Sequence, residues 1–197
     1  MVNCNIHDYV DASLQNTLFS NIEASNCQIT NCSVGYTGNY CKIYNSTING
    51  SVISTYAGNI LYKIYNSDID NSYFTGQSWS GIHEYNFIKN NIKNNTNPLV
   101  YLFAKKNIIF NFKENIVSDS NDILAVCLDP SDDPTFVCKL NIIDNQFNDI
   151  AGYIITKYFS RVECPVLLKF KNNITVPEIL QLIDPQIQEK ITIEYEW

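Results

Sequence analysis

Short units with alternating side chains recur along the first third of the chain. In each five-residue unit, a small or apolar residue is followed two places later by an apolar one, and the units come in groups of three. The groups are SNIEA, SNCQI, TNCSV, then NYCKI, YNSTI, NGSVI, and then ILYKI, YNSDI, DNSYF. The first such residues of the three groups, Ile22, Cys41 and Tyr62, are 19 and 21 residues apart.

This alternation predicts β-strands. Two apolar residues separated by one other residue place both side chains on the same face of a strand, whereas an amphipathic helix needs a period of 3.6 residues. Three strands per group predict a three-sided coil, and stacked coils pair in parallel and bury their inward side chains in columns. Because parallel crossovers are nearly always right-handed, we expect a right-handed solenoid.

An asparagine precedes the small residue in most units and is expected to form the corner between two strands. Its side chain can bond neighbouring backbone, and it tolerates a left-handed conformation. A column of corner asparagines would also satisfy polar groups that apolar residues leave without partners. The corner positions predicted along the whole chain are Asn21, Asn26, Asn31, Asn45, Asn66, Asn90, Asn145 and Asn173.

The second half of the chain repeats a longer segment of strand, Asn-marked turn and strand. YNFIKNNI at 85–92 corresponds to LNIIDNQF at 140–147, and FNFKENI at 110–116 corresponds to LKFKNNI at 168–174. These strides predict wider turns with loops at one corner, at 93–98, 118–122 and 129–135. The apolar residues that close the segments are 24, 31 and 27 residues apart, and they are Ile92, Ile116, Phe147 and Ile174.

The C-terminal stretch departs from this pattern. Pro177 at a first helical position and Pro185 bound a short predicted helix over EILQLID. ITIEYEW at 191–197 then alternates apolar and polar residues, which predicts a strand with one buried face. The strand is either a cap over the open end of the solenoid or an element that docks on a neighbouring subunit.

The sequence therefore predicts one all-β domain over 1–197, a right-handed parallel β-helix. We expect an N-terminal lead-in over 1–20, narrow three-sided turns over 21–80 and wider turns over 81–175. A short helix and a strand over 176–197 complete the domain as a C-terminal cap.

The segments YNFIKNNI, FNFKENI, LNIIDNQF and LKFKNNI resemble the pectin-lyase-like right-handed β-helix family, which includes polysaccharide lyases, polygalacturonases and bacteriophage tailspikes. This resemblance covers residues 85–175. Residues 21–74 are similar to β-helical segments of phage fibre and virion proteins, and more loosely to pentapeptide-repeat proteins, whose coils have four units. The resemblance implies a protein of the tailspike, fibre or virion structural type, for which trimers are the usual form.

Composition and charge change the list of expected partners. The chain contains 27 asparagines and 27 isoleucines, which suits many strands and sharp corners. Its formal charge is −7 and its lysines are scattered, so we expect no nucleic-acid binding. No apolar run approaches a membrane span, and the first residues lack the regions of a signal peptide. We therefore expect no membrane partner and synthesis in a cytoplasm.

Metal and cofactor motifs are not found in the sequence. Seven cysteines and two histidines form no pattern of zinc spacing, and no glycine-rich phosphate loop occurs. We therefore predict no cofactor and no metal. Cysteines at small buried positions favour reduced thiols over a disulfide, and these are Cys4, Cys27, Cys32 and Cys41.

Catalytic candidates are few. A lyase of the resembling family would show aspartate ligands to calcium with a basic residue on the same face, and Arg161 has only Glu163 near it in the sequence. Two carboxylates at a suitable separation can split a glycosidic bond. The candidates for this role are Asp129, Asp132 and Asp133, whose flanking prolines favour a solvated loop over a cation or partner contact, and over catalysis. We expect His83 to be structural.

Outward tyrosines are the other candidate contacts. Tyr44 and Tyr65 occupy equivalent places and could form a ridge for ordinary packing, for a protein interface or for a sugar. Together with Asp129, Asp132, Asp133 and Trp197, they form the predicted set of partner or glycan contacts.

The leading hypothesis is a structural virion protein of a bacteriophage, in a tail, fibre, baseplate or capsid-decoration role. We expect it in the virion, as a homo-oligomer with a trimer favoured, in contact with other virion proteins and with a host surface glycan. One alternative is a β-helix protein that degrades or binds polysaccharide. Another is a decoy similar to pentapeptide-repeat inhibitors of topoisomerases, which would need an unbroken acidic stripe.

Overall fold

The computed structural model describes residues 2–7, 22–34, 39–56, 59–78, 81–104, 107–128, 138–162, 165–171 and 176–195. Within these residues the chain forms a parallel β-solenoid with three sheets, here called A, B and C. Each turn of the solenoid passes through sheet A, then B, then C. Each strand pairs in parallel with strands of the neighbouring turns. The predicted all-β parallel solenoid is therefore confirmed, while its handedness stays a prediction from the crossover preference.

The described strands divide among the three sheets as follows. Sheet A contains β2 (Ile22–Ser25), β5 (Tyr40–Tyr44), β8 (Ile60–Tyr65), β11 (His83–Ile88), β14 (Ile108–Lys113), β17 (Cys138–Ile143), β20 (Val166–Lys171) and β21 (Ile191–Tyr195). Sheet B contains β1 (Asn5–His7), β3 (Gln28–Thr30), β6 (Thr47–Asn49), β9 (Asp68–Asp70), β12 (Asn91–Lys93), β15 (Ile116–Ser120) and β18 (Gln146–Ile150). Sheet C contains β4 (Ser33–Val34), β7 (Val52–Tyr56), β10 (Tyr73–Ser78), β13 (Val100–Ala104), β16 (Leu124–Leu128) and β19 (Ile155–Val162).

The strand register confirms the groups of three. In sheet A, Cys41 lies opposite both Ile22 and Tyr62, the equivalent members of the neighbouring groups. In sheet B, the buried central residues of successive strands stack in one column, formed by Ile29, Ile48, Ile69, Ile92 and Val117. The spacing of the units along the sequence thus determines which residues stack in the core.

Left-handed residues mark two of the three corners. Corner AB, between sheets A and B, has them at Asn3, Asn26, Asn45, Asn66, Lys89, Glu114 and Asp144. Corner BC, between sheets B and C, has them at Asn31, Gly50, Asn71, Asn94, Asp119 and Asp149. These two columns contain all the described residues other than glycine that have positive φ, so the sharp turn is a repeated element of the fold. Asparagine and aspartate dominate because they adopt this conformation more readily than other residues with a Cβ.

The predicted corner asparagines fall into three groups. Asn26, Asn31, Asn45 and Asn66 are left-handed and exposed. For Asn90 and Asn145 the prediction is wrong by one residue, because the preceding residue is the left-handed one and these two side chains turn inward and are buried. Asn21 and Asn173 lie outside the described residues.

A similar shift affects the second half of sheet B. Ile116 was expected to close its segment as Ile92 does, but its side chain is 44% exposed. Val117 is the residue in register with Ile92, and it is fully buried. Ile174, the last closing residue of the prediction, lies outside the described part of the chain.

The inward side chains of sheet A change in size along the solenoid, while the division into narrow and wide turns stays a prediction. One inward column passes from small to large side chains, in the order Ala24, Ile43, Ile64, Phe87 and Phe112, and continues with Ile142 and Phe170. The rings of Tyr62 and Tyr85 stack with their centroids 5.2 Å apart. The hydroxyl of Tyr85 reaches sheet C at Gly76, where any side chain would overlap it.

Within the described residues, extra length enters at corner BC. This corner lengthens to 94–99 between β12 and β13, close to the loop predicted at 93–98, and to 151–154 between β18 and β19. The loop predicted at 118–122 falls on corner BC, where Asp119 is left-handed. It is shorter than predicted, because strand β15 extends to Ser120 and only 121–123 separate it from β16. The loop predicted at 129–135 lies outside the described residues.

The C-terminal segment covers part of the solenoid end. Helix α1 (Val176–Gln181) and a 3₁₀ helix (Gln188–Lys190) precede strand β21, which pairs with β20 in sheet A. Ile179, Ile183 and Ile187 are buried in the core cluster, and Ile183 bridges to Ile155. These contacts support the cap interpretation, whereas docking of β21 on another subunit stays a prediction. At the other end, β1 lies within the stretch predicted as a lead-in.

Replacing Asn66 with alanine is expected to lower the free energy of unfolding by about 1 kcal/mol, because alanine has a Cβ and lacks the tolerance of asparagine for positive φ. Asn66→Gly should lower it by less, since glycine adopts this conformation freely. Urea unfolding followed by circular dichroism measures both. An equal decrease in the free energy of unfolding of the two variants would contradict the prediction, because it would show that the left-handed backbone conformation is not the reason for asparagine at this position.

Candidate functional site

A ladder of buried hydrogen bonds follows corner AB. The residue after each left-handed one turns its side chain into the core, and its backbone N–H donates to a side chain of the next turn. The N–H of Ser46 donates to Oγ of Ser67 at 3.2 Å, and that of Ser67 donates to Oδ1 of Asn90 at 3.1 Å. The ladder runs through Cys4, Cys27, Ser46, Ser67, Asn90, Asn115 and Asn145.

The asparagines of this ladder also satisfy the carbonyl groups beside them. Nδ2 of Asn90 donates to the carbonyl of Ile64 at 2.8 Å, and Nδ2 of Asn115 donates to the carbonyl of Phe87 at 2.9 Å. In the narrower turns, the serine Oγ instead donates within its own turn, as Ser67 does to the carbonyl of Tyr65 at 2.9 Å. The buried serine and asparagine side chains of this ladder are thus paired, as stability requires of groups removed from water.

A second ladder follows corner BC. The N–H of Ser51 donates to Oγ of Ser72, and that of Ser72 donates to Oδ1 of Asn95. Cys32 begins this ladder and Ser120 is its last described member. Nδ2 of Asn95 is buried without a hydrogen-bond partner in the described part of the chain, so this ladder is less completely paired than the first.

His83 is enclosed in the core and faces no solvent. Its Nδ1 lies 3.1 Å from the hydroxyl of Tyr85, and its Nε2 has no partner among the described residues. Burial lowers the pKa of His83 to about 4, because the charged imidazolium would lose its hydration. These contacts agree with a structural histidine, the role that we expect from the sequence.

The outward side chains of sheet A, here called the A face, form the candidate functional site. A third ladder, made of side-chain amides, runs along the middle of the A face. Nδ2 of Asn111 donates to Oδ1 of Asn86 at 2.9 Å, and Nδ2 of Asn141 donates to Oδ1 of Asn111 at 2.8 Å. Sequence reasoning missed this ladder, although asparagine at the same place in the repeats YNFI, FNFK and LNII was a visible signal.

Tyr44 and Tyr65 lie side by side on the A face, in register on β5 and β8. Their ring centroids are 5.6 Å apart in an edge-to-face arrangement, and both side chains are half-buried. Partial burial raises the pKa of Tyr65, and Tyr44 and Glu84 raise it further. The predicted ridge is therefore present as a pair of rings, and what it contacts stays a prediction.

The remaining candidate residues are placed less fully. Asp129, Asp132, Asp133 and Trp197 lie outside the described residues, as does the side chain of Arg161. The six described cysteines are thiols, and burial raises the pKa of the Cys41 thiol. Across the described ranges, no group of three or more metal-ligating side chains comes together. No described helix is long and apolar enough to cross a membrane.

Replacing Asn115 with leucine is expected to lower the free energy of unfolding by about 2–4 kcal/mol, because it leaves the buried N–H of Asn90 and the carbonyl of Phe87 without partners. Asn111→Leu is the matched control, since it makes the same change on the half-buried A face and should lower the value by roughly 1 kcal/mol or less. Chemical denaturation measures both variants. Similar losses would contradict the role assigned to the corner ladder.

Acidification is expected to destabilise the fold through His83. Its pKa is lowered in the folded state, so the unfolded state binds more protons as the pH falls from about 6.5 towards 4. The free energy of unfolding should decrease by about 3 kcal/mol across this range. His83→Phe should flatten this part of the curve measured by urea unfolding at several pH values, and an unchanged slope would contradict the prediction.

The chain matches no known protein family, and no curated protein and no solved structure is significantly similar to it.

Proposed function

We propose that this protein is a structural component of a bacteriophage particle, in a tail, fibre, baseplate or capsid-decoration position. In this role it acts as a stiff support whose outer faces bind other proteins. One observation supports this more than any other. Two buried ladders join successive turns along corners AB and BC, so bending or parting the turns would break hydrogen bonds in the core.

The proposed mechanism is passive. The A face presents half-buried apolar side chains beside polar ones, as protein interfaces do, and these include Leu61, Ile88, Ile109, Ile143 and Leu167. The proposed partners are further copies of the chain, with a trimer favoured, other virion proteins and a host surface glycan. The assignment to a bacteriophage is supported by the resemblance of the strand repeats to phage fibre and tailspike segments.

Particle composition tests this proposal directly. Mass spectrometry of purified phage particles from the genome that encodes the chain should find its peptides in a constant ratio to the major capsid protein. Peptides confined to the infected-cell lysate, and lost from particles on density-gradient purification, would overturn the proposal.

A polysaccharide-directed role is the alternative from the sequence, and it depends on Asp129, Asp132 and Asp133. These residues lie outside the described part of the chain, and the amides of Asn86, Asn111 and Asn141 already bond to one another. A reducing-end assay on capsular and pectic polymers separates the two functions. Release of new reducing ends, lost in an Asp132→Asn/Asp133→Asn variant, would favour the alternative.

The purified chain is expected to form an oligomer, because symmetric self-association is the usual form of such supports. Light scattering on a sizing column should give a mass of two or more whole multiples of 22.5 kDa. A single-chain mass at all protein concentrations tested would contradict the assembly role.

A further inference from the structure

The charges on the outside of the solenoid are divided unevenly between its faces. The B face is defined here as the outward residues of sheet B together with the left-handed residues of corner BC. It has one described lysine, Lys93, and four aspartates, which are Asp68, Asp70, Asp119 and Asp149. The A face has three described glutamates and six lysines, which are Lys42, Lys63, Lys113, Lys139, Lys169 and Lys171. A basic face is unexpected on a chain whose formal charge is −7.

Ion pairs within the chain neutralise only part of these charges. Lys42 pairs with Glu23 at 3.6 Å and Lys169 pairs with Glu194 at 3.7 Å, both on the A face. On the B face, Lys93 pairs with Asp70 at 3.5 Å. The charged groups left without an ion pair in the described ranges are Lys63, Lys113, Lys139, Lys171 and Glu84 on the A face, and Asp68, Asp119 and Asp149 on the B face.

These lysines and aspartates lie at matching heights along the solenoid. Lys63 on β8 and Asp68 on β9 belong to one turn. Lys113 and Asp119 share the turn of β14 and β15, and Lys139 and Asp149 share the turn of β17 and β18. A rotation about an axis parallel to the solenoid keeps every turn at its own height. It would therefore bring the lysines of one copy level with the aspartates of the next.

Apolar side chains lie next to several of these lysines. Ile109 lies opposite Lys139, and Ile143 lies between Lys113 and Lys171 of the neighbouring strands, with both isoleucines half-buried on the A face. On the B face, Ile116 is 44% exposed. Covering these isoleucines would remove apolar surface from water. This burial contributes binding free energy in addition to that of the charge pairs.

We infer that the A face binds the B face of a second copy of this chain, with the two solenoid axes parallel. The inference rests on the proposed assembly function and names the surfaces that carry it. Two A faces placed together would oppose lysine with lysine, which disfavours that contact. The A-to-B contact uses two different surfaces, so copies related by a rotation that closes on itself form a ring.

Charge reversal with a matched control tests this contact. Light scattering is measured on the full chain in low salt and in about 1 M salt, where the screening length falls to roughly 3 Å. The oligomer should dissociate towards 22.5 kDa in high salt. Lys113→Glu/Lys139→Glu should give the single-chain mass in low salt, while Lys157→Glu/Lys190→Glu, with the same change in net charge away from both faces, should retain the oligomer.

Rescue of the oligomer by reversing the charges of the B face as well is the second test of this contact. Adding Asp119→Lys/Asp149→Lys to the Lys113→Glu/Lys139→Glu chain should return the oligomer, and Lys89 shows that lysine is accommodated at a left-handed corner. Circular dichroism confirms that each variant is folded. An oligomer that survives the A-face reversal, or a folded four-site variant that stays monomeric, would overturn the A-to-B contact and leave the assembly function standing. A wild-type monomer would overturn both.

Discussion

The buried backbone N–H after each left-handed corner residue is the group on which the rest of the solenoid depends. The sharp turn directs this N–H along the solenoid axis, where a side chain of the next turn provides the acceptor. Leaving such a group unpaired in the core would cost about 1–3 kcal/mol. Each turn is therefore completed by its neighbour, and stability passes from turn to turn as in other repeat proteins.

The same constraint accounts for the order of residue types along the ladder. Where the core is narrow, at Ala24, the ladder uses Cys27, and where the core contains Phe87 and Phe112 it uses asparagine. Asparagine reaches further than serine, and its amide carries two donors. At Asn90 and Asn115 the amide donates to a backbone carbonyl of the preceding turn and to Oδ1 of the next asparagine. Sulfur is a weaker acceptor, so the ladder is weakest at its N-terminal end.

The sequence predicted the stacking of the first turns well because their units have a constant length. The spacing of Ile22, Cys41 and Tyr62 was sufficient to predict the register of sheet A. The sequence pattern failed to predict the corner residue at Asn90, because asparagine suits both the exposed left-handed position and the buried position after it. Only the contacts between turns distinguish these two uses. The charge pattern of the faces was equally invisible, since lysines scattered in the sequence become one surface when the turns stack.

The outer faces and the ladders have separate roles in this account. The ladders make the solenoid stiff, and the A and B faces determine what it contacts. Native-state hydrogen exchange of the Asn115 amide, followed by NMR, tests the central claim most directly, because this N–H donates to Oδ1 of Asn145 inside the core. The account predicts exchange only through global unfolding, with a protection free energy equal to the free energy of unfolding. Exchange through a local opening of much lower free energy would contradict it.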